Sequence, residues 1–170
     1  MEDYNIMNIE IQKITKENVA HIALLIGKFR VALKSYKGIT THPNVEAGLE
    51  EAQEYLEAGF PIYAAVANEN YIGYMVCRIE EPCVWVESIF VEESYRRCDV
   101  ASLLLECAEK IAHSYGENTV YFNVHPNNHR MISFLRKHGY TVLNLIEIRK
   151  PYPKENLRQE ISVGEHTFDY

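Results

Sequence analysis

Residues 95–101, which read Tyr-Arg-Arg-Cys-Asp-Val-Ala, place basic and acidic groups between a strand-like run and a helical one. The first N–H groups of a helix lack partners and carry partial positive charge, so they suit a phosphate. Arg96 and Arg97 add charge and hydrogen-bond donors at this position. Asp99 instead puts a carboxylate where an anion would dock. The chemistry predicted here is therefore anion binding, opposed locally by one negative charge.

The four cysteines have no C-x-x-C spacing and are predicted to be reduced thiols rather than disulfides. Cys77 and Cys107 fall in apolar patterns and are interpreted as buried small side chains. Cys98 lies beside two arginines at a helix start, where thiolate character rises. The sequence places no His or Asn to activate this thiol, so Cys98 is interpreted as an ordinary loop residue. The alternative is a nucleophile. The seven histidines show no paired metal-ligand spacing, so no metal site is predicted.

Composition limits the classes of function that the chain can have. A chain of 170 residues with 47% apolar and 24% charged residues is an ordinary globular protein, most simply one domain. A net charge of −7 argues against a general nucleic-acid or anionic-membrane binder, so the basic stretch is a local feature. No run of 18 apolar residues occurs and residues 1–8 lack a signal-peptide core, so we expect a cytoplasmic protein.

Apolar periodicity and turn residues predict ten elements in the order β-α-α-β-β-β-α-β-α-β. Short turns join the second, third and fourth strands as an antiparallel meander, whereas a helix makes the fourth and fifth strands parallel. The fold class is thus α/β, with helices on both faces of a mixed, mostly antiparallel sheet. The predicted elements are strand 8–14, helices 15–34 and 43–58, strands 62–67, 71–79 and 83–91, helix 100–115, strand 119–124, helix 127–139 and strand 140–149.

Residues 1–150 are predicted to form the domain and residues 151–170 its C-terminal tail. Thr15 and the Thr41-His42-Pro43 segment are the predicted starts of the first two helices. The Pro-Tyr-Pro sequence at 151–153 breaks regular structure, and the polar tail has a short strand as an option at 160–163.

The order of the elements and two local motifs resemble the GNAT superfamily of acyl-CoA-dependent N-acetyltransferases, over roughly residues 9–150. The family's loop motif is Arg or Gln, two residues, Gly, one residue, then Gly or Ala. In this chain Arg96 and Ala101 match it, and Asp99 stands in place of the glycine. The second motif is an asparagine that opens the next helix, followed by aromatic residues and a Gly-aromatic pair. Its matches are Asn128, Met131, Ile132, Phe134, Gly139 and Tyr140.

The resemblance implies acetyl-CoA as cosubstrate and a sheet that is splayed between its fourth and fifth strands. The pantetheine arm is implied to run like an added strand beside Ile89, Phe90 and Val91, where a backbone N–H polarises the thioester carbonyl. Asn128 and Phe134 are implied to contact the coenzyme from the next helix. The residues implied to hold the pyrophosphate, through loop amides and the helix start, are Arg96, Arg97, Cys98, Asp99, Val100, Ala101 and Ser102.

Two residues are candidates for the base that takes the proton of the acceptor amine. Glu87 lies on the fourth strand, and strand alternation predicts that Trp85, Ile89 and Val91 share its face. Partial burial on that face would make the carboxylate a stronger base; the alternative is a glutamate that faces solvent or pairs with a cation. His125, at the end of the fifth strand, is the second candidate, and otherwise it packs locally or caps the next helix.

Two positions depart from the family pattern. The family commonly has a tyrosine in the fourth helix as the acid for the departing thiolate, and Leu135 stands there in this chain. This leaves the acid unassigned. A carboxylate at Asp99, about 5 Å from a phosphate charge, would cost roughly 1 kcal/mol in water and roughly 3 kcal/mol at an intermediate dielectric. As an N-cap, Asp stabilises a helix start by about 1 kcal/mol, and its side chain would then occupy the amides that bind phosphate.

Together these features predict an N-acetyltransferase that transfers an acetyl group from acetyl-CoA to a primary amine of a small molecule or peptide, by direct attack in a ternary complex. The alternative is a catalytically degenerate coenzyme A-binding domain with a regulatory or assembly role. The first two helices and the loop 36–42 are expected to select the acceptor. No nucleic-acid or membrane partner is expected, and the tail 151–170 makes a homodimer an option.

Overall fold

The computed structural model describes residues 8–170, and the chain divides into two compact units. The first unit ends at Asn123 and contains a five-stranded sheet with three α-helices. The second begins at Val124 and contains one helix and a hairpin. The predicted domain boundary at residue 150 stays a prediction. No helix within residues 8–170 combines the length and the apolar content needed to cross a membrane.

The first nine predicted elements form in the predicted order. The strands are β1 (Ile9–Ile14), β2 (Ile62–Ala67), β3 (Asn70–Glu80), β4 (Cys83–Val91), β5 (Tyr121–Phe122), β6 (Glu160–Val163) and β7 (His166–Asp169). The helices are α1 (Ala23–Tyr36), α2 (Val45–Glu57), α3 (Val100–Ser114) and α4 (His129–Lys137). Short 3-10 turns at Val19–Ile22 and Glu93–Tyr95 precede α1 and α3.

The sheet of the first unit follows chain order from β1 to β5. Its first four strands pair antiparallel, and β5 pairs parallel to β4, which confirms the predicted mixed sheet. β5 is shorter than predicted, because only Tyr121 and Phe122 pair, with Trp85 and Val86 of β4. The pairing between β4 and β5 therefore ends early, and most of β4 extends beyond it.

Helices cover both faces of this sheet, as predicted. On one face, α1 and α2 pack on Tyr74 and Val76 in a core that includes Ile26. On the other face, Val100 of α3 reaches the sheet at Gly73, where an added Cβ would lie 3.3 Å from a Val100 methyl. A glycine in the strand thus allows the helix start to approach the sheet closely.

A β-bulge interrupts the pairing of β3 with β4. Val76 pairs with Ser88 whereas the next residue, Cys77, pairs with Val86, so Glu87 is the extra residue on β4. A bulge bends its strand and shifts the alternation of the side chains that follow it. The position of Glu87 is therefore set by the pairing of two strands.

The bulge corrects the predicted face of Glu87. Regular alternation places Ile89 and Val91 beside it, but Val91 pairs with Gly73, which faces Val100 of α3. Ile89 pairs with Met75, two residues further along β3 and therefore on the same face as Gly73. Trp85 stays on the face of Glu87, which α1 and α2 cover, because it pairs with Arg78 of β3. The prediction was wrong because apolar periodicity does not reveal an inserted residue.

The first two helices begin later than predicted. Thr15 does not cap α1: its N–H donates to Asn18 Oδ1 at 2.7 Å, eight residues before α1 begins at Ala23. The cap of α2 is Asn44, whose Oδ1 accepts from Ala47 N at 3.0 Å, so the preceding proline lies outside the helix. Asn and Thr both reach first-turn N–H groups, and the sequence alone does not choose between neighbouring cap candidates.

The predicted strand 140–149 is wrong, because the structure assigns no strand to residues 138–159. A strand needs a partner for its N–H and C=O groups, and apolar composition does not supply one. The predicted strand at Glu160–Val163 is confirmed, and it pairs with β7 across a turn at Gly164, whose φ is 61°. The large apolar side chains left exposed between residues 140 and 149 are Val142, Leu143, Leu145, Ile146 and Ile148.

Candidate functional site

The loop before α3 has two residues in the left-handed region, Arg97 with φ 64° and Asp99 with φ 57°. Alternation of left-handed and ordinary residues turns successive N–H groups toward one side, a geometry that forms anion-binding concavities. The loop leads directly into the 15-residue helix α3, whose first internal bond runs from Leu103 N to Asp99 O at 3.0 Å. Val100, Ala101 and Ser102 therefore form the first turn, where helical N–H groups have no helical acceptor.

Asp99 does not cap α3 with its side chain, which corrects the suggestion that its carboxylate occupies the first-turn amides. An N-cap side chain reaches the N2 or N3 amide when its backbone lies in the β region, and Asp99 is left-handed. The residue is exposed at the end of the loop. Its backbone is left-handed, a conformation that glycine adopts at no steric cost.

The two arginines of the loop have different surroundings. Arg96 is half-buried, and its Nε donates to Val91 O at 3.1 Å while Nη1 lies 3.2 Å from Glu93 Oε1. Its guanidinium also lies over the Phe90 ring, 5.7 Å from the centroid. Arg97 is exposed. Arg96 thus ties the loop to the end of β4, and Arg97 is the arginine that faces solvent.

The open part of β4 ends next to this loop. Pairing with β5 stops at Val86. Within the described part of the chain, the residues that follow on this strand, Ile89, Phe90 and Val91, pair only with β3. An edge of this kind presents main-chain donors and acceptors that an extended ligand can pair with. The end of β4 is fixed on α1 by the pair between Lys28 and Glu92, at 2.7 Å.

Glu87 is held by an arginine that the sequence did not single out. Arg78 Nε donates to Glu87 Oε2 at 3.1 Å. The side chain of Arg78 is 25% exposed and that of Glu87 is 35% exposed. The Arg78 guanidinium also pairs with Glu80 and lies over the Trp85 ring, 5.3 Å from its centroid. Trp85 in turn packs on Tyr121 of β5, with 4.9 Å between centroids. Glu87 is thus paired with a cation, and its assignment as the base stays a prediction.

A polar cluster lies between α1, α2 and the sheet, on the face that carries Glu87. Arg30 Nε donates to Glu51 Oε2 at 2.7 Å, and the Tyr55 hydroxyl donates to Glu51 Oε1 at 2.9 Å. Burial, followed by the neighbouring Glu51 and Glu87 carboxylates among other groups, raises the pKa of Tyr55 well above its usual value. Tyr55 therefore stays protonated at neutral pH and lies within the electrostatic reach of Glu87.

Two buried hydroxyls of the same face lack well-formed hydrogen bonds within the described part of the chain. Tyr74 is fully buried and Ser88 keeps 3% exposure, and neither hydroxyl makes such a bond to a group of residues 8–170, although the two lie near each other. Burial raises the pKa of Tyr74, and the nearby Ser88 hydroxyl lowers it by less. Sequence reasoning missed both residues, since a tyrosine and a serine inside apolar strands carry no motif. A buried hydroxyl without a partner is rare enough to require an explanation.

In the second unit, His125 and Asn128 are engaged in local backbone contacts. His125 Nδ1 accepts from Asn127 N at 3.1 Å, which places the lone pair of a neutral imidazole on the backbone rather than on a substrate. The Asn128 side chain caps α4 by accepting from Met131 N at 3.1 Å, as an asparagine opening a helix should. Leu135 is buried and Phe134 is half-buried in that helix.

The four cysteines are free thiols. Burial raises the pKa of the Cys77 thiol to about 12, so it is inert at neutral pH. Burial likewise raises the pKa of Cys107, against a smaller lowering by Lys110. Cys98 is exposed, and its Sγ makes one weak contact with Arg96 O at 3.7 Å. Residues 8–170 contain no group of three or more His, Cys, Asp or Glu side chains that could hold a metal ion.

Comparison with known proteins identifies the family. The family model described as "Acetyltransferase (GNAT) family" matches residues 30–140, so the chain belongs to this family. A search of curated proteins found no match.

Solved structures share the fold at low sequence identity. AAC(6')-Iy in complex with the bisubstrate analogue CoA-S-monomethyl-acetylneamine has 19% identity and a TM-score of 0.66, over 86% of this chain and 99% of that one. The PaiA N-acetyltransferase of Thermoplasma acidophilum, in complex with coenzyme A, has 22% identity and a TM-score of 0.63, over 78% and 89%. The ribosomal-protein-alanine N-acetyltransferase of Brucella melitensis biovar Abortus 2308 has 14% identity and a TM-score of 0.64, over 86% and 100%.

Proposed function

We propose that this protein is an acetyl-CoA-dependent N-acetyltransferase that acetylates a primary amine of a small molecule or peptide. The observation that carries the proposal is an arrangement within the first unit. A loop with two left-handed residues leads into α3, and β4, the strand before this loop, has no pairing with β5 beyond Val86. Solved relatives of the same fold were crystallised with coenzyme A or a coenzyme A bisubstrate analogue, which supports this class of cosubstrate.

The loop and the strand edge fit the two chemical parts of coenzyme A. The left-handed residues Arg97 and Asp99 turn loop amides toward one side, and the first turn of α3 adds further N–H groups with the helix dipole behind them. Arg97 adds a solvent-facing guanidinium for phosphate. The edge beyond Val86 offers main-chain groups for the amides of a pantetheine arm.

Acetyl-CoA supplies an activated acetyl group, and the protein must orient the amine and remove its proton. Glu87 is the proposed base, because its carboxylate lies on β4 next to the open edge and engages only Oε2 with Arg78. Oε1 can then accept a proton from the attacking amine, directly or through one water. A backbone N–H of the Ile89 to Val91 stretch stabilises the negative charge that develops on the carbonyl oxygen.

His125 is the weaker candidate for the base. A neutral imidazole has a single ring lone pair, and the contact with Asn127 N uses it at Nδ1. Nε2 then carries the proton and can only donate. Leu135 is a hydrocarbon and cannot donate a proton to the leaving thiolate. Because a thiolate is a fair leaving group, its departure needs no assigned acid.

Release of free thiol from acetyl-CoA tests the proposal against a panel of amino acids, polyamines, aminoglycosides and peptides. We expect thiol release with at least one amine, and a decrease in kcat/KM of about 100-fold or more for Glu87→Gln. Glu106→Gln, on the exposed face of α3, is the control and should keep wild-type turnover. Tight coenzyme binding without thiol release on any amine would instead indicate the degenerate, coenzyme-binding alternative.

A further inference from the structure

The loop before α3 is held at its two ends, whereas residues 97–99 between them are exposed. Arg97 and Asp99 are left-handed, a conformation that non-glycine residues keep only where the surrounding structure holds them. At one end, Val100 is buried on the sheet at the start of α3. At the other end stands Arg96, so its contacts determine whether the loop keeps this conformation.

The Arg96 guanidinium makes three contacts of unequal weight. Its pair with Glu93 adds little, because the Glu93 side chain is 83% exposed. The bond from Nε to Val91 O, at 3.1 Å, fixes one atom of the group. The Phe90 ring, whose centroid lies 5.7 Å away, contacts the guanidinium as a whole and restrains it by a cation–π interaction.

The Phe90 ring is itself fixed by the core of the first unit. Its residue pairs with Tyr74 of β3, and the ring meets Phe29 of α1 edge to face, 6.4 Å between centroids. It packs against the hydrophobic core that α1 and α2 form on the sheet. Phe90 therefore connects a rigid core to an arginine at the start of an exposed loop.

We propose that the Phe90 side chain is a positioning residue for the coenzyme site, which holds the Arg96 guanidinium and thereby keeps the loop 96–99 in the conformation that turns its amides toward one side. This inference rests on the proposed function, because coenzyme A is the ligand that those amides would bind. The role belongs to the ring and is separate from main-chain pairing of the pantetheine arm along residues 89–91. Loss of the ring should therefore affect binding of the phosphates and leave binding of pantetheine unchanged.

Calorimetric titration of coenzyme A and of pantetheine tests the inference on Phe90→Leu. We expect the dissociation constant of coenzyme A to rise about two- to fivefold, the range for one partly exposed cation–π contact, and that of pantetheine to stay unchanged. Phe90→Tyr keeps an aromatic ring and should keep the wild-type affinity. Phe60→Leu is the matched control, because Phe60 packs against the same core but stacks on Tyr55 of α2. It should bind both compounds as the wild type does.

A double-mutant cycle with Arg96→Gln shows whether Phe90 acts through the guanidinium. If it does, Phe90→Leu should cause no further loss of coenzyme A affinity once Arg96 is replaced. Losses that add in the double variant overturn the inference. Equal weakening of coenzyme A and pantetheine in Phe90→Leu overturns it as well, because either result indicates that the ring only supports the packing of β4.

Trypsin cleavage under native conditions gives a readout that needs no ligand. Cleavage after Arg97, which every variant retains, reports how often the loop opens. It should be about two- to fivefold faster in Phe90→Leu than in Phe60→Leu, and Phe90→Leu should add nothing in the Arg96→Gln background. Equal cleavage rates in the two leucine variants overturn the inference. A wild type that binds no coenzyme A contradicts the proposed function instead, and the cleavage rates still decide whether Phe90 holds the loop.

Discussion

At the residue scale, Asp99 combines two unfavourable features at one position. Its backbone is left-handed, with φ 57°, where most L-residues are strained by roughly 1–2 kcal/mol, although Asp tolerates it better. Its carboxylate is exposed at the start of α3 and makes no cap bond. The residue therefore does not stabilise the helix start through its side chain, and it adds negative charge where the coenzyme phosphates are proposed to bind.

Replacing Asp99 by glycine should tighten acetyl-CoA binding by about fivefold or more, because a repulsion of roughly 1–3 kcal/mol is removed. The free energy of unfolding should rise by up to about 1 kcal/mol as the left-handed strain is relieved. Calorimetric titration of acetyl-CoA and denaturant unfolding measure the two effects.

Asp99→Asn separates charge from backbone conformation, because asparagine tolerates the left-handed region and carries no charge. If repulsion is the cause, Asn should bind acetyl-CoA nearly as tightly as Gly. Equal affinity in all three proteins would rule out any effect of Asp99 on the coenzyme.

Tyr74 shows a different kind of cost, a buried hydroxyl without a well-formed hydrogen bond to any of residues 8–170. Its ring contributes to the core and meets Phe29 edge to face, 6.3 Å between centroids. A buried polar atom without a partner costs about 1–3 kcal/mol, and an apolar replacement of the same shape avoids that cost.

Tyr74→Phe should therefore leave the free energy of unfolding unchanged or raise it by about 1 kcal/mol, measured by urea denaturation. Tyr55→Phe is the matched control, because its hydroxyl is hydrogen-bonded to Glu51, and it should lose about 1 kcal/mol. A clear loss of stability in Tyr74→Phe would show that its hydroxyl has a partner in solution.

At the element scale, the first unit depends on a close crossing of α1 and α2. A Cβ added to Gly48 of α2 would lie 2.1 Å from Ala23 O of α1, and one added to Gly27 would lie 2.9 Å from Asn44 O. Both contacts are with backbone atoms, which cannot rotate away. The two helices also join through the Arg30–Glu51 pair, so the cluster on the Glu87 face depends on this crossing.

Gly48→Ala should thus destabilise the protein by about 3 kcal/mol or more, because the helices must separate to admit one methyl group. Thermal and urea unfolding measure the loss. Gln53→Ala, at an exposed position of the same helix, should change stability by less than about 0.5 kcal/mol. A tolerated Gly48→Ala would mean that the crossing is wider than the structure shows.

At the scale of the whole molecule, the chain has a net charge of −7, yet the proposed coenzyme site is a local basic loop. A ligand that binds only the folded protein stabilises it by about 2.7 kcal/mol at 100 times its dissociation constant. A protein of this size gains roughly 2–4 °C in Tm for each kcal/mol.

Coenzyme A at 100 times its dissociation constant should therefore raise the Tm by about 5–10 °C in differential scanning fluorimetry. Pantetheine at the same concentration lacks the phosphates and should raise it by much less. An equal shift with both compounds would exclude the loop before α3 as the phosphate site, and no shift with either would exclude coenzyme binding.

The sequence alone determined the order of nine elements, the mixed sheet and the loop at the start of α3. These follow from local information: apolar spacing reports a helix or a strand, and turn residues report where each one ends. The same information failed for 140–149, since β propensity there does not show whether a partner strand is present. It also misplaced the start of α2, where the cap is Asn44 rather than Thr41.

Only the tertiary structure decided what surrounds Glu87. The bulge depends on how β3 pairs with β4, and this pairing removed Ile89 and Val91 from the face of Glu87. It also brought Arg78, nine residues away in the chain, to the carboxylate. The physical reason is that strand register and bulges arise from contacts between separate segments, whereas a sequence pattern records only what each segment prefers by itself.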